Sequence, residues 1–309
     1  MLYSLVGALE SGLLYALMAL GVFITYRVLD FPDLTVDGSF TTGAAITTVM
    51  AMNGYSPVIS LIFAFCGGAL AGLMTGLLHT KGKINGLLSG IIMMIALYSI
   101  NLRIMGKPSL SLRDTTNLFS SAPVWLIGII VAIGVKILLD LFFKTNIGLS
   151  LRATGDNQRM IKSFGANTHM TTILGVSLSN ALVATSGGLI AFSTNQTNIN
   201  MGVGMIVIGL ASVIIGEAIF GRKTIFRATI AVVLGAIIYR VIYALALRIP
   251  GMDAQDMKLV TALIIIFALI IPTIKNAMQE KKTSRKRAEE VIQQVNSTSK
   301  GGSALDVTH

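Results

Sequence analysis

The sequence predicts an all-α polytopic membrane protein with about eight or nine transmembrane helices and a broken, short helix near the N-terminus. Of its 309 residues, 53% are hydrophobic and only 12% are charged, and the mean hydropathy is +0.77. A soluble domain is typically about one quarter charged. The apolar residues also form runs of about 20, which is the length that a helix needs to cross a bilayer.

Eight apolar runs are long enough to be spans: 5–26, 57–78, 84–103, 121–143, 169–192, 203–220, 225–248 and 257–275. A ninth candidate, VDGSFTTGAAITTVMAM at 36–52, is shorter and more polar. We therefore expect a transmembrane domain over residues 1–275. Residues 276–309 are expected to form a basic, polar cytoplasmic tail that is partly disordered. The first run lacks a basic start and a small-residue cleavage site, so we expect a span rather than a signal peptide.

Lys and Arg residues orient the loops, because cytoplasmic loops carry an excess of them. The segments expected in the cytoplasm are 79–83, 144–168, 221–227 and the tail, which contains KKTSRKR. The uncharged segment 193–202 and the acidic segment 249–256 are expected outside. With nine spans, successive loops alternate between the two sides of the membrane as assigned, and the N-terminus is external. With eight spans, the N-terminus is inside, and 36–52 is a re-entrant segment. Alternation places 104–120 outside, although this segment contains Lys107 and Arg113.

The stretch VLDFPDLTVDGSF at 28–40 interrupts this apolar pattern with three carboxylates. Pro32 disfavours the helical conformation at the preceding residue, and Gly38 permits a turn. We expect the helix to break over 28–36 and to restart as a short, Thr-rich helix over 37–52. Asp37 or Ser39 would cap the new helix.

Three roles are open for this break. Backbone that is not helical at membrane depth is buried in protein or lines a water-filled cavity, so the segment could line a transport pathway or gate. The candidate pathway residues are Asp33, Asp37, Ser39, Thr41, Thr42 and, in the uncharged external segment, Asn195. Alternatively, 27–36 is a cytoplasmic loop in which Arg27 pairs with an Asp in water. The third reading is a cation site built from Asp30, Asp33 and Asp37.

Charged residues within the other candidate spans include Glu10, Lys136, Asp140, Glu217 and Arg240. Lys136 and Asp140 are four residues apart, so they are expected to pair on one helix face. Glu217 and Arg240 would be about 15–20 Å apart along a regular hairpin, which argues against a direct pair.

Glycines 68, 72 and 76 form a stripe on one span. Small residues let helix backbones approach closely within a membrane. We expect this stripe to pack within the bundle, with a dimer contact as the alternative.

Several kinds of chemistry are not expected of this chain. In GEAIFGRKT at 216–224, Arg222 stands where a phosphate-binding loop needs Lys. The histidines 79, 169 and 309 are isolated, so no metal site is expected, and Cys66 is expected to be a small packing residue. The basic tail follows the last span and therefore marks the cytoplasmic face rather than a nucleic-acid site, with anionic-lipid contact as an alternative.

The loop at 144–168 contains a Gly148 break, a helix-compatible run from about 150 to 164, and GAN at 165–167 as a helix stop. A short helix held between two turns is a surface that a partner protein could bind. The alternative is a simple amphipathic connector.

This loop and the next span, GLSLRATGDNQRMIKSFGANTHMTTILGVSLSNALVATSGGLIAF, resemble the signature region of the permease subunits of branched-chain amino-acid ABC importers. GLLYALMALGVFITYRVLDFPDLTVDGSFTTGA is similar to the first span of that family and the segment after it. That family commonly has an N-F-A-H-G type sequence where this chain has FPDLTVDGS. The pattern in this chain resembles more closely that of permeases linked to tryptophan or other aromatic amino acids.

The resemblance implies a transport subunit without catalytic residues, metal or cofactor of its own, in a bacterial plasma membrane. ATP and Mg would be bound by partner ABC ATPase subunits, which would dock on a coupling helix at about 153–164. The resemblance assigns ATPase coupling to Arg152, Ala153, Gly155, Asp156, Arg159, Gly165 and Asn167. An extracellular solute-binding protein or lipoprotein would deliver a small molecule, expected to be an amino acid, to a homodimer or a pair of related permeases.

Two other functions are open. A secondary transporter or channel would need an ion relay within the membrane, for which the carboxylates above are the candidates. A membrane-embedded regulatory or assembly protein would need no transport pathway. A partner ATPase would favour the importer permease over both.

Overall fold

The computed structural model describes residues 2–113, 117–120, 123–247 and positions 259, 261–264, 266 and 270. The chain divides into two units, 1–261 and 262–309. The helices of the first unit are α1 (Leu2–Val22), which continues as a π-helix (Phe23–Val28), α2 (Thr35–Met52), α3 (Pro57–Thr80), α4 (Gly86–Met105), α5 (Val124–Lys144), α6 (Asn146–Asp156), α7 (Gln158–Ser163), α8 (Thr168–Thr194), α9 (Met205–Phe220) and α10 (Ile225–Ala246). Two short strands, β1 (Ser109–Ser111) and β2 (Gln196–Asn198), and a 3₁₀ turn (Leu118–Ser120) complete it.

The helices confirm the predicted all-α membrane fold. Among the described residues, six helical stretches are long and apolar enough to cross a membrane: Leu5–Val28, Pro57–Thr80, Gly86–Met105, Val124–Lys144, Thr168–Thr194 and Ile225–Ala246. Helix α9 is apolar but shorter, and α2 is the 18-residue polar helix that was the ninth candidate. Most of the predicted span 257–275 and the whole tail lie outside the described residues.

Helix α8 lies at the centre of the bundle, between α2 and α3. Helix α2 runs parallel to α8, because a Cβ added at Gly43 would overlap the backbone of Ala184, and Thr47 lies against Gly188. Helix α3 runs antiparallel to α8. Its stripe of Gly68, Gly72 and Gly76 lies against the α8 backbone at Asn180, Val176 and Ile173 respectively. The predicted packing of this stripe within the bundle is therefore confirmed.

The bundle has two ends, which we call the ribbon end and the α6 end. At the ribbon end, β1 and β2 pair antiparallel with Leu110 opposite Thr197. This pairing places residues 109–111 and 196–198 at the same end, as the alternation of spans requires. The α6 end contains α6, α7 and the loops at 81–85 and 221–224.

The loop at 144–168 differs from the predicted single helix. Its helical part divides into α6 and α7 at Asn157, whose side chain accepts hydrogen bonds from the backbone N–H groups of Arg159 (3.1 Å) and Met160 (3.0 Å). Asn is a strong N-cap, so it ends one helix and starts the next. The predicted break at Gly148 is wrong. Gly148 lies in the first turn of α6, where its N–H donates to the Thr145 hydroxyl (3.2 Å).

Cys66 does not fill the packing role expected of it, because it lies on the exposed side of α3. The glycines two and six positions further along the same helix face α8 instead. The periodicity of the helix therefore separates the thiol from the packed face.

Replacing Gly43 with Ala is expected to lower the thermal stability of the purified chain in detergent. The added methyl group would overlap the Ala184 carbonyl, and overpacking of this kind costs about 1–3 kcal/mol. The matched control is Gly134→Ala on α5, where nothing lies within 4 Å of the added Cβ. Equal melting temperatures for the two variants would contradict this packing.

Candidate functional site

The predicted break after the first helix is present and buried. The π-helix ends at Val28, and residues 29–34 are not helical. Asp30 has a φ of +51°, and the Phe31 N–H donates to the Thr25 carbonyl (2.9 Å). Asp33 is only 2% exposed.

Asp33, rather than the expected Asp37 or Ser39, supplies the side-chain acceptor at the start of α2. Its carboxylate accepts the Thr35 N–H at 2.9 Å. Gly38 does not form the expected turn, because it lies inside α2. Its lack of a side chain instead allows Leu97 of α4 to approach closely.

A buried network joins this break to α8. The Asn180 side-chain amide donates to the second Asp33 carboxylate oxygen (2.6 Å), and its carbonyl oxygen accepts from the Ser39 hydroxyl (2.7 Å). Asn180 and Ser39 are both fully buried. Buried polar networks that are satisfied in this way hold one arrangement firmly. Asn180 was not among the predicted site residues, and its only signal was polarity within an apolar span.

Asp37 binds the N-terminus of α9 instead of capping its own helix. Its two carboxylate oxygens accept the N–H groups of Gly204 and Ile206, each at 2.8 Å. The first N–H groups of a helix have no partner within the helix, and they carry partial positive charge. A carboxylate from another helix therefore satisfies donors that would otherwise be unpaired inside the bundle.

The segment before α9 is not the simple external loop that its lack of charge predicted. Its beginning pairs at the ribbon end, where the hydroxyls of Thr197 and Thr48 lie 2.6 Å apart. Its end reaches Asp37, with the Gly202 N–H donating to the Thr41 hydroxyl on the way (3.1 Å). Thr48 and Asp37 are eleven residues apart on α2, which is about 16 Å along a helix. The segment therefore penetrates the bundle alongside α2.

A cavity of about 280 Å³ lies where this penetrating segment faces α2 and α4. We call it the α2–α4 cavity. Its lining contains two predicted pathway residues, Asp37 and Thr41, and one that was missed, Asn101. The Asn101 amide donates to the Gly38 carbonyl at 3.2 Å. The full lining is Asp37, Gly38, Thr41, Met94, Ile95, Tyr98, Ser99, Asn101, Ile199, Asn200 and Val203.

The other predicted pathway residues do not line this cavity. Asp33 and Ser39 face α8 through Asn180. Thr42 donates to the Gly38 carbonyl within its own helix (2.9 Å). Asn195 lies at the ribbon end, where its side-chain oxygen accepts from Asn117 (2.7 Å). The structure therefore divides the predicted set among four places.

The carboxylates of the break do not meet around a common point. Asp33 faces α8, Asp37 faces α9, and Asp30 is exposed. Within the part of the chain that the structure describes, no three His, Cys, Asp or Glu residues could hold a metal ion together. This geometry does not support the cation-site hypothesis.

Arg27 pairs with α9, not with an Asp in its own loop. Its Nε lies 3.2 Å from a carboxylate oxygen of Glu217. The expectation of an Arg27–Asp pair is therefore wrong. Together with Asp37, Arg27 brings the break against both ends of α9.

The coupling candidates of α6 lie beside the break. A Cβ added at Gly155 would overlap the Val28 carbonyl, so the two backbones are in direct contact. A hydroxyl pair, Thr154 and Thr171 at 2.9 Å, joins α6 to α8. A cavity of about 380 Å³ at this end is lined in part by Arg27, Arg152, Asp156, Glu217 and Arg222.

The remaining coupling candidates serve turns or lie on the surface. Arg159 on α7 is exposed. Gly165 is exposed and has a φ of +82°, which favours glycine. The Asn167 side chain accepts the Met170 N–H (3.2 Å) and so caps α8. Ala153 is half-buried, whereas Phe164, which was not predicted, is 79% exposed.

Four of the charges named within the other spans, Lys136, Asp140, Glu217 and Arg240, contact other side chains. Lys136 and Asp140 form the predicted pair at 2.5 Å, and Asp140 also accepts from the Thr229 hydroxyl (2.8 Å). Arg240 lies 3.6 Å from the centre of the Tyr15 ring. Glu217 and Arg240 do not pair with each other, as predicted.

Comparison with known proteins decides the family. Residues 4–271 match the family described as the permease component of the branched-chain amino acid transport system. This chain belongs to that family. The predicted resemblance is therefore confirmed, and the chain is a membrane-spanning permease of the ABC transporter class.

Relatives from bacteria and archaea share most of this chain. The Tyrosine transport system permease protein of Clostridioides difficile (strain R20291) is 44% identical over 94% of this chain and 97% of its own length. An uncharacterized protein of Rickettsia prowazekii (strain Madrid E) is 33% identical over 86% and 96%. The probable branched-chain amino acid transport permease protein LivH of Methanocaldococcus jannaschii is 28% identical over 60% and 65%.

Proposed function

We propose that this permease is the translocating subunit of a binding-protein-dependent ABC importer for an amino acid. The observation that carries the proposal is the position of the residues that flank the break. Val28, just before the break, touches α6, and Arg27 before it and Asp37 after it contact α9. A partner that moves α6 would therefore act on the helix whose N-terminus lies beside the α2–α4 cavity. Separate ATPase subunits would supply ATP and Mg, and this chain would carry no catalytic group.

The substrate that we propose is an aromatic amino acid. The relative that is 44% identical is named as a tyrosine transport permease, and FPDLTVDGS departs from the branched-chain pattern in the same region that forms the break. A cavity of about 280 Å³ is close to the lower limit of about 300 Å³ for ligand sites. A single small solute fits this size.

The proposed mechanism is alternating access in three mechanical steps. ATPase subunits bind the exposed surface of α6 and α7, and ATP binding displaces these helices. The contact between Gly155 and Val28 passes the displacement to the break. The Arg27–Glu217 pair and the Asp37 contacts then pass it to α9, which changes the width of the pathway.

The charge distribution supports the proposed orientation, in which the α6 end is cytoplasmic. Positive side chains mark the cytoplasmic side of membrane proteins. Basic residues at the α6 end include Lys81, Lys83, Lys144, Arg152, Arg159, Lys162, Arg222, Lys223 and Arg227, whereas the described segments at the ribbon end carry Arg103, Lys107 and Arg113. The ribbon end would then face an extracellular solute-binding protein or lipoprotein, and the C-terminus would be cytoplasmic.

The assembly that we propose is a homodimer, or a pair with a related permease, in the bacterial plasma membrane. The described surface offers exposed apolar side chains on several helices, such as Leu70 on α3 and Ile130 on α5. Lipid or a second subunit would cover them. A secondary transporter remains the second candidate, because Asp33 is a buried carboxylate with no cation partner among the described residues.

Purification of the tagged chain from its native membrane in mild detergent is expected to recover an ATPase with a phosphate-binding loop. Arg152→Glu, or Gly165→Val at its positive φ, should reduce that recovery and the substrate-stimulated ATP hydrolysis of the reconstituted complex. Loss of a charge-assisted contact costs about 1.5–3 kcal/mol, which is about tenfold or more in affinity.

Arg113→Glu is the control for this experiment, because it reverses an exposed charge next to β1 at the other end of the bundle. It should leave ATPase recovery unchanged. A chain that emerges alone even after crosslinking would favour the secondary transporter. Unchanged ATPase activity in the Arg152 and Gly165 variants would remove the coupling role of this loop.

Asp37→Ala is expected to impair transport more than assembly. The variant leaves the Gly204 and Ile206 N–H groups without their acceptor, and loss of a helix cap costs about 1 kcal/mol. Uptake by the reconstituted importer should therefore fall while the complex still forms. Asp30→Asn is the control, since it removes an exposed carboxylate at a positive φ that Asn tolerates. Normal uptake by Asp37→Ala would exclude a transport role for the break.

A further inference from the structure

We propose that the α2–α4 cavity is a substrate subsite that binds the ammonium group of a free amino acid through Asp37 and Asn101. This inference rests on the proposed function, and it names the chemistry by which the permease itself would recognise its substrate. It assigns a binding role to Asn101, which the sequence did not single out. Three observations support it: the hydrogen bonding of Asn101, the charge of the lining, and the polar and apolar side chains of the other lining residues.

Asn101 presents an acceptor that its surroundings leave unused. Its side-chain N–H donates to the Gly38 carbonyl, so the amide is oriented with its oxygen as the free group. This oxygen is buried, with no hydrogen-bond partner among the residues that the structure describes, and the residue is only 1% exposed. A buried acceptor without a donor is unfavourable. A ligand N–H group in the adjoining cavity would satisfy it.

The charge of the lining favours a cation over an anion. Asp37 is the one ionisable carboxylate among the described lining residues, and none of them is basic. Each of its oxygens already accepts one backbone N–H, but a carboxylate oxygen has capacity for a second hydrogen bond. An ammonium group supplies three donors, and hydrogen bonds between charged partners are stronger than neutral ones.

The other lining residues suit the rest of an amino acid. The side chains of Ser99 and Asn200 make no hydrogen bond to the residues that the structure describes, and both contain donors that a carboxylate accepts. Tyr98 is 49% exposed at the rim, beside the apolar side chains of Ile95 and Val203. An aromatic ring of the ligand would lie against this part of the wall.

The test is protection of a cysteine in the cavity against N-ethylmaleimide. Cys66→Ser gives a cysteine-free chain, and Val203→Cys then places one thiol in the lining. In the purified full-length permease, L-tyrosine and tyramine should slow the labelling of this thiol. 3-(4-Hydroxyphenyl)propanoate, which lacks the ammonium group, should not. Asn101→Leu, which removes the acceptor but keeps the branching and the number of heavy atoms of the side chain, should raise the half-protecting tyramine concentration about tenfold or more.

Two controls separate specific binding from a change in the fold. Thr47→Val removes a different buried polar atom that lacks a partner in the described region, the Thr47 hydroxyl, which is not in the cavity lining, and should retain protection. Val58→Cys reports an exposed position at the start of α3 and should not be protected. Any of three results would overturn the subsite: equal protection by the propanoate, absence of protection by tyramine, or full protection in Asn101→Leu. The comparison of ligands is made with Asn101 in place, so it does not depend on whether Asn101→Leu folds.

Uptake of L-tyrosine by the complete importer, measured in parallel, distinguishes the two proposals. Uptake without protection would overturn the subsite and leave the importer standing. Protection without ATP-driven uptake would support the subsite and contradict the importer.

Discussion

The structure depends on one constraint, which is that backbone groups inside a membrane bundle must find hydrogen-bond partners within the protein. The chain breaks its first span at 29–34 and meets this constraint with nearby groups. Phe31 donates to Thr25, and Asp33 accepts from Thr35. The buried carboxylate then needs a donor of its own, which Asn180 supplies. The same constraint explains why Asp37 accepts the N-terminal N–H groups of α9.

Close backbone packing makes these contacts possible. Gly43 on α2 and the glycine stripe on α3 allow both helices to approach α8, which brings Asn180 within reach of Asp33 and Ser39. At the α6 end, Gly155 allows α6 to touch Val28. Packing energy in membranes comes from such close approach rather than from the hydrophobic effect. The glycines therefore connect the polar centre of the bundle to the surface that we propose for ATPase docking.

The features that the sequence predicted correctly are those with a local signal. The six long spans, the break at Pro32, the Lys136–Asp140 pair and the glycine stripe each follow from the order of neighbouring residues. The boundary between α6 and α7 also had a local signal, Asn157. The helix-compatible residues on both sides of it led instead to the prediction of a single helix. The contacts that define the candidate site have none. Asn180 is 147 residues from Asp33 and Gly204 is 167 from Asp37, so only the folded bundle shows which polar residues meet.

Removal and restoration of the contact between Arg27 and Glu217 is the direct test of whether motion passes from α6 to α9 along this route. In the Cys66→Ser background, the variant Arg27→Cys with Glu217→Cys lacks the ion pair that joins the end of the π-helix to α9, and a short thiol crosslinker rejoins them. We expect the untreated double variant to lose ATP-driven uptake by the reconstituted importer while ATP hydrolysis continues, and the crosslink to restore uptake. The single-cysteine variants, treated in the same way, should stay impaired. Full uptake by the untreated double variant, or no recovery on crosslinking, would contradict this coupling.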